Sequence, residues 1–302
     1  MKIIAVLIFA LLSLEEGFSQ QKKLSDSFSI PFELTSSNNI SVKVILNNTD
    51  TLKLMLHTAS SDVSITEDAS SKAKTLKFNR TDTVTSWGSQ SNISRFSADN
   101  KLSIAGFKLE NIQVWENKNT GPETDGKFGL NLFENKFVAI DFEKTIIKIS
   151  ETLPLDLRTY KKFPLVLKDD SMFINATCVI GNDTLQNQYL IHSGYGGTIL
   201  LDDGFSNKHS LKDKLKVISE KDLKDSYGNI IKTKKAILPI FSVGDTILSE
   251  IPASFFEGSV GRQKMSIIGG DLIKRFNFIF DKDRKYVYLK PNKLNNGKYI
   301  TI

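Results

Sequence analysis

The chain has 302 residues, 40% of them hydrophobic, and carries 40 Lys and Arg against 34 Asp and Glu for a formal net charge of +6 at pH 7. That is enough apolar material for a substantial core in one or two domains, which excludes a disordered or fibrous chain. The basic excess is spread along the sequence rather than gathered into a stripe interleaved with aromatics, which argues against nucleic-acid binding.

The first element predicted is a signal peptide. Met1-Lys2 is a positive start, Ile3 to Leu14 is an apolar run too short to span a bilayer, and Gly17 and Ser19 are small residues where a signal peptidase reads. Residues 1–19 are expected to be removed after Ser19, leaving a secreted or periplasmic protein with no membrane span. From there the pattern is strand-like almost throughout. Ser41–Leu46, Thr51–Leu56 and Asn111–Trp115 alternate or run apolar over strand lengths, punctuated by Asn, Asp, Gly and Ser clusters. Short helices are predicted at 131–136 and 271–276, and a broken amphipathic one over 202–223. The Lys-rich part of that last stretch, 208–224, mixes both signs and reads as a solvated helix face with His209 on the surface. Residues 152–162, with Pro154 near their start, read as a connection between a unit at 20–151 and another at 163–302. Cys178 is the only cysteine and lies in an apolar alternating run, so no intramolecular disulfide is available and a core thiol is predicted. The Asn-x-Ser/Thr sequons, Asn39 among them, follow from an Asn-rich composition.

Two segments repeat. Leu54-Met-Leu-His57-Thr-Ala-Ser is an apolar strand running into a small-residue turn, and Tyr189-Leu-Ile-His192-Ser-Gly does the same much later. Phe128-Gly129 to Asp141 aligns without a gap on Ile268-Gly269 to Asp281. Gly106–Ile112 and Gly244–Ile251 form a third match with a one-residue slip. Two copies of one supersecondary unit predict a two-lobed, pseudo-twofold domain.

These residues resemble the pepsin-like and retropepsin-like aspartyl proteases, in which an apolar-apolar-Asp-Thr/Ser-Gly motif and a later apolar-apolar-Gly loop mark each lobe. The resemblance implies an all-β bilobal fold, a monomer, and a groove for a peptide or protein ligand. It places His57-Thr58-Ala59 and His192-Ser193-Gly194 at the two catalytic motifs, so both catalytic aspartates are histidines here. It also implies that the Thr58 and Ser193 hydroxyls cross-bond the opposite lobe beneath the pair. Trp87-Gly88 falls where the family carries its substrate-covering flap.

In that family two carboxylates share one proton, the charged one drawing a proton from water while the other donates to the substrate carbonyl. Two imidazoles supply no anion to hold a lytic water. The expectation is therefore an inactive protease-like scaffold that needs no cofactor. Two alternatives remain open at this point: a Zn²⁺ or Cu²⁺ site on His57 and His192, with Asp62 as a third ligand, and a hydrolase that uses one histidine as general base.

Overall fold

The computed structural model describes residues 27–85, 91–154, 156–224, 230–256 and 264–299. The expected signal segment, residues 1–19, and Trp87 and Gly88, expected in a flap, lie outside the described residues.

The first lobe is an eight-stranded sheet in the order Glu33–Leu34, Ile40–Leu46, Asp50–Leu56, Gly126–Phe128, Val63–Thr66, Phe107–Asn117, Ser91–Ile104, Arg80–Thr85. The second repeats that order strand for strand: Val166–Lys168, Ser171–Ile180, Asp183–Ile191, Ser266–Ile268, Ile199–Leu200, Thr246–Phe255, Ile230–Val243, Val217–Lys224. In both, the second and seventh strands also pair, Ile40–Leu46 with Ser91–Ile104 and Ser171–Ile180 with Ile230–Val243, which curls each sheet on itself. The one-residue slip in the third match has a local origin: the two-residue turns are Ala105-Gly106 in one lobe and Gly244-Asp245 in the other, so the glycine sits second in the first and first in the second.

A six-stranded sheet joins the lobes, in the order Ser27–Pro31, Ile146–Ser150, Phe137–Asp141, Phe276–Phe280, Tyr286–Pro291, Lys161–Pro164. At its centre one strand from each copy meets antiparallel, Ala139 opposite Ile279. The aspartate shared by the copies closes the hairpin that follows. Asp141 Oδ1 accepts from the backbone N–H groups of Glu143 and Lys144, both at 3.0 Å, and Asp281 Oδ1 from that of Tyr286 at 2.8 Å.

Inward-facing positions of the strands build one apolar core through both lobes, with Leu54, Leu56, Phe128, Tyr189, Ile191 and Phe280 among its members. Cys178 is fully buried, and burial pushes its thiol up to about 11, so it is an inert core residue.

The helical predictions need correction. Residues 202–223 hold two short helices, Asp203–Lys208 and Leu211–Lys214, and then a strand, Val217–Lys224. The mixed-charge stretch therefore ends in the edge strand of a sheet, and His209 caps the first helix with its ring 4.8 Å from that of Phe205. The other two helices are shorter than predicted, Leu130–Phe133 as a 3-10 turn and Gly270–Ile273, because Phe276 already belongs to the central strand pair. Residues 161 and 162 of the expected connection are already strand, paired with Tyr288 and Leu289.

Candidate functional site

Each histidine stands just past the end of a core strand. His57 follows Asp50–Leu56 and donates its backbone N–H to the Phe128 carbonyl at 2.9 Å; His192 follows Asp183–Ile191 and donates to Ile268 at 3.0 Å. The chain then turns back across the glycine that follows the neighbouring short strand. A Cβ on Gly129 would stand 1.8 Å from the Ser60 carbonyl oxygen, and one on Gly269 2.3 Å from that of Gly197. The repeat keeps these glycines because the turn after each histidine passes directly over them.

The two turns lock together. Thr58 Oγ1 donates to the Ile191 carbonyl at 2.5 Å and accepts from the Ser193 N–H at 3.0 Å. Ser193 Oγ donates to the Leu56 carbonyl at 2.6 Å and accepts from the Thr58 N–H at 3.0 Å. Both side chains are buried. Two more bonds reach across from residues that the sequence did not single out for the site: Asn39 Nδ2 donates to the Ser193 carbonyl and Asn38 Nδ2 to that of Gly196, each at 2.9 Å. Asn39 is 1% exposed with its amide committed, so this sequon is structural.

Above this lattice the imidazole rings lie with centroids 4.5 Å apart and planes tilted by 60°. His192 Nδ1 accepts from the Tyr195 N–H at 3.0 Å, which leaves its Nε2 to carry the proton as a donor. His57 Nδ1 is buried without a hydrogen-bond partner. His57 also lies flat against Gly194, where a Cβ would fall 2.2 Å from its Cδ2 and 2.4 Å from its Nε2. Gly194→Ala should therefore displace the ring and cost about 1–3 kcal/mol of stability, as overpacking does. Urea unfolding measures this, and an unchanged midpoint would show that the ring does not occupy that place.

Both imidazoles are held neutral. Burial is the main cause for each, pulling His57 well below the usual histidine range and His192 down to about 4. A proton on His192 would oppose one on His57, the Lys127 charge lowers His57 further, and Lys127 also lowers His192. Among the described residues no carboxylate is a cause of either shift.

Lys127 was not singled out by the sequence. It sits on Gly126–Phe128, in register between Met55 and Ser64; Ser64 pairs in turn with Trp115, and Trp115 with Phe96. Directly paired residues share a sheet face, and Met55 precedes His57 by two residues, so this row leads to the histidine. The corresponding row of the second lobe is Leu190, Ile267, Leu200, Ser254 and Lys235. Three of these five, with Phe173 and Phe256, form a separate apolar cluster onto which Ala59 of the first lobe packs.

Among the described residues no group of three His, Cys, Asp or Glu is placed to hold a metal. Asp62 is exposed and bonds within its own turn, to Ser60 and Ser61.

No protein-family model matches the chain, and no curated protein sequence does. Among solved structures it is similar to the aspartic proteinase from Irpex lacteus, with a TM-score of 0.60 over 90% of this chain and 99% of that chain, at 12% identity. That likeness shows the fold: this is a bilobal, all-β, pepsin-like architecture. No helix among the described residues is long and apolar enough to cross a membrane.

Proposed function

We propose that the protein is an exported peptide-binding protein that keeps the two-lobed groove of its fold and does not cut what it holds. The observation that carries this reading is the pair itself. Two neutral imidazoles stand at the lobe junction, with a lysine rather than a carboxylate as their charged neighbour. Peptide hydrolysis of the aspartic type needs an anion there to take a proton from water, and a general acid-base step of this kind contributes about 10²- to 10⁴-fold. With both carboxylates replaced, the lobe-locking hydroxyls of Thr58 and Ser193 still hold the junction together. Export rests on the sequence of residues 1–19, and the monomer on the fold's internal repeat.

A metal site is the second reading, favoured by one observation: the unpartnered His57 Nδ1 beside a second neutral imidazole. Against it stand the missing third ligand among the described residues and the charge of Lys127, which opposes a cation. Elemental analysis of protein purified without chelator separates the two, one tightly held ion per chain being the result that favours metal.

The binding half of the proposal is tested by fluorescence anisotropy with labelled, unfolded casein. Saturable binding that unlabelled casein competes away is expected. Absence of saturable binding across pH 5–8 would reduce the histidines to a polar filling between the lobes.

A further inference from the structure

Resting on that reading, we propose that the groove is charge-selective: Lys127, with the donor nitrogen of His192, seats a carboxylate of the bound peptide on the first-lobe side of the histidines. Three observations lead there. The first is placement, since Lys127 stands next to Met55 in the row that leads to His57. It is half-buried, and its charge is felt by both rings. The second is the polarity of the ring beside it. His192 accepts from Tyr195 at Nδ1, so the nitrogen left over is an N–H. An ammonium and an imidazole N–H together offer donors and positive potential, which suit an anion and repel a cation. The third is asymmetry. The residue of the second lobe that corresponds to Lys127 is Ile267, buried in the apolar cluster with Leu190 and Leu200. Beside the histidines the first-lobe row is therefore cationic and the second-lobe row apolar, its own lysine, Lys235, standing three strands beyond Ile267, so an extended peptide has a preferred direction as well as a preferred acidic position.

A single ammonium flanked by Met55 and Ser64 suits a carboxylate within a peptide better than a polyanion, which would call for a run of cations along the row. The carboxylate could be an Asp or Glu side chain or the peptide's own C-terminus, and the test distinguishes these sources.

The test uses the full mature protein and fluorescein-labelled octapeptides with randomised flanks and a fixed central Glu, Gln, Lys or Leu, each made with an amidated or a free C-terminus. Among amidated peptides, central Glu should bind about tenfold more tightly than central Gln, and the preference should shrink as salt rises. Lys127→Met should bring the two within about twofold, while Lys127→Arg should keep the order. Equal binding of the Glu and Gln peptides, or a Glu preference that survives Lys127→Met, would overturn the inference and leave the groove as a neutral peptide binder. A preference that follows only the free C-terminus would reassign the carboxylate to the chain end. Should the Lys127 variants fail to fold, the Glu-over-Gln ratio of the wild-type protein and its salt dependence decide the matter alone. If no peptide of any kind binds the wild-type protein, the peptide-binding reading itself fails.

Discussion

Replacing Arg275 by methionine should cost the folded protein about 3–5 kcal/mol, enough to unfold a marginal domain. This guanidinium has no solvent exposure. Its Nη1 donates to the carbonyls of Leu294, Asn295 and Gly297, and its Nη2 to that of Lys298. Its Nε donates to the carbonyl of Asp271, and its face lies 3.6 Å from the ring centre of Tyr299. Nη2 is also 3.7 Å from the buried Asp271 carboxylate, which Lys274 approaches to 2.8 Å. Methionine keeps much of the volume and none of the donors, so several carbonyls lose their partner and a buried carboxylate loses one of two cations. The damage should reach the site. The turn Gly270–Ile273 that carries Asp271 takes hydrogen bonds from its backbone to Tyr195 and Gly197, in the loop after His192, and Lys274 bonds Asn38 of the first lobe. Urea unfolding at pH 7 measures the loss, and a change below about 1 kcal/mol would contradict this account of the C-terminal clamp.

The second large effect is on acid stability. Above pH 6.5 the imidazoles are neutral in both the folded and the unfolded chain and contribute no pH dependence. As pH falls below 6.5 the unfolded chain's histidines take up protons while the folded pair, depressed by burial, does not. The unfolded state then binds more protons, and stability falls. For His192 the loss saturates below its folded value of about 4. A displacement of that size corresponds to roughly 3 kcal/mol, and His57 adds to it in the same direction. The comparison is with a His57→Gln/His192→Gln variant, because carboxylates give every protein some acid lability. Between pH 7 and pH 4 the wild-type protein should lose at least about 2 kcal/mol more than the variant. Parallel curves would mean that the rings are solvated or already charged at pH 7. The same neutrality is visible directly in imidazole nitrogen chemical shifts, which should not titrate between pH 7 and pH 5.

What was legible in the sequence is what local geometry demands. Gly129 and Gly269 recur because a turn passes over each, and Asp141 and Asp281 because each closes a hairpin. Thr58 and Ser193 could be placed by resemblance because their cross-bonds need a hydroxyl at one fixed step past each histidine. What was not legible depends on partners distant in the chain. Val217–Lys224 has a lysine-rich composition that favours helix in isolation, but pairing along Ile230–Val243 overrides that propensity. Lys127 looks like an ordinary surface lysine until the register of three strands sets it between Met55 and Ser64. Asn38 carries no sequence signal and Asn39 only that of a sequon, and only the closed lobes show their amides reaching Gly196 and Ser193. The buried Arg275 carried no periodic signal at all, since its partners are carbonyls of a tail some 20 residues on.

The central claim, that the fold is kept while hydrolysis is lost, is tested most directly by mass spectrometry of unfolded casein incubated with the purified mature protein from pH 3 to pH 8. The account predicts no new peptide termini above those left by a heat-inactivated sample. A His57→Asp/His192→Asp variant should regain cleavage at acidic pH only when Lys127→Met accompanies it, because an ammonium beside the two carboxylates would hold both ionised. Pepstatin-sensitive fragments from the wild-type protein would contradict the account outright and show that two imidazoles can do the work of two carboxylates on this scaffold.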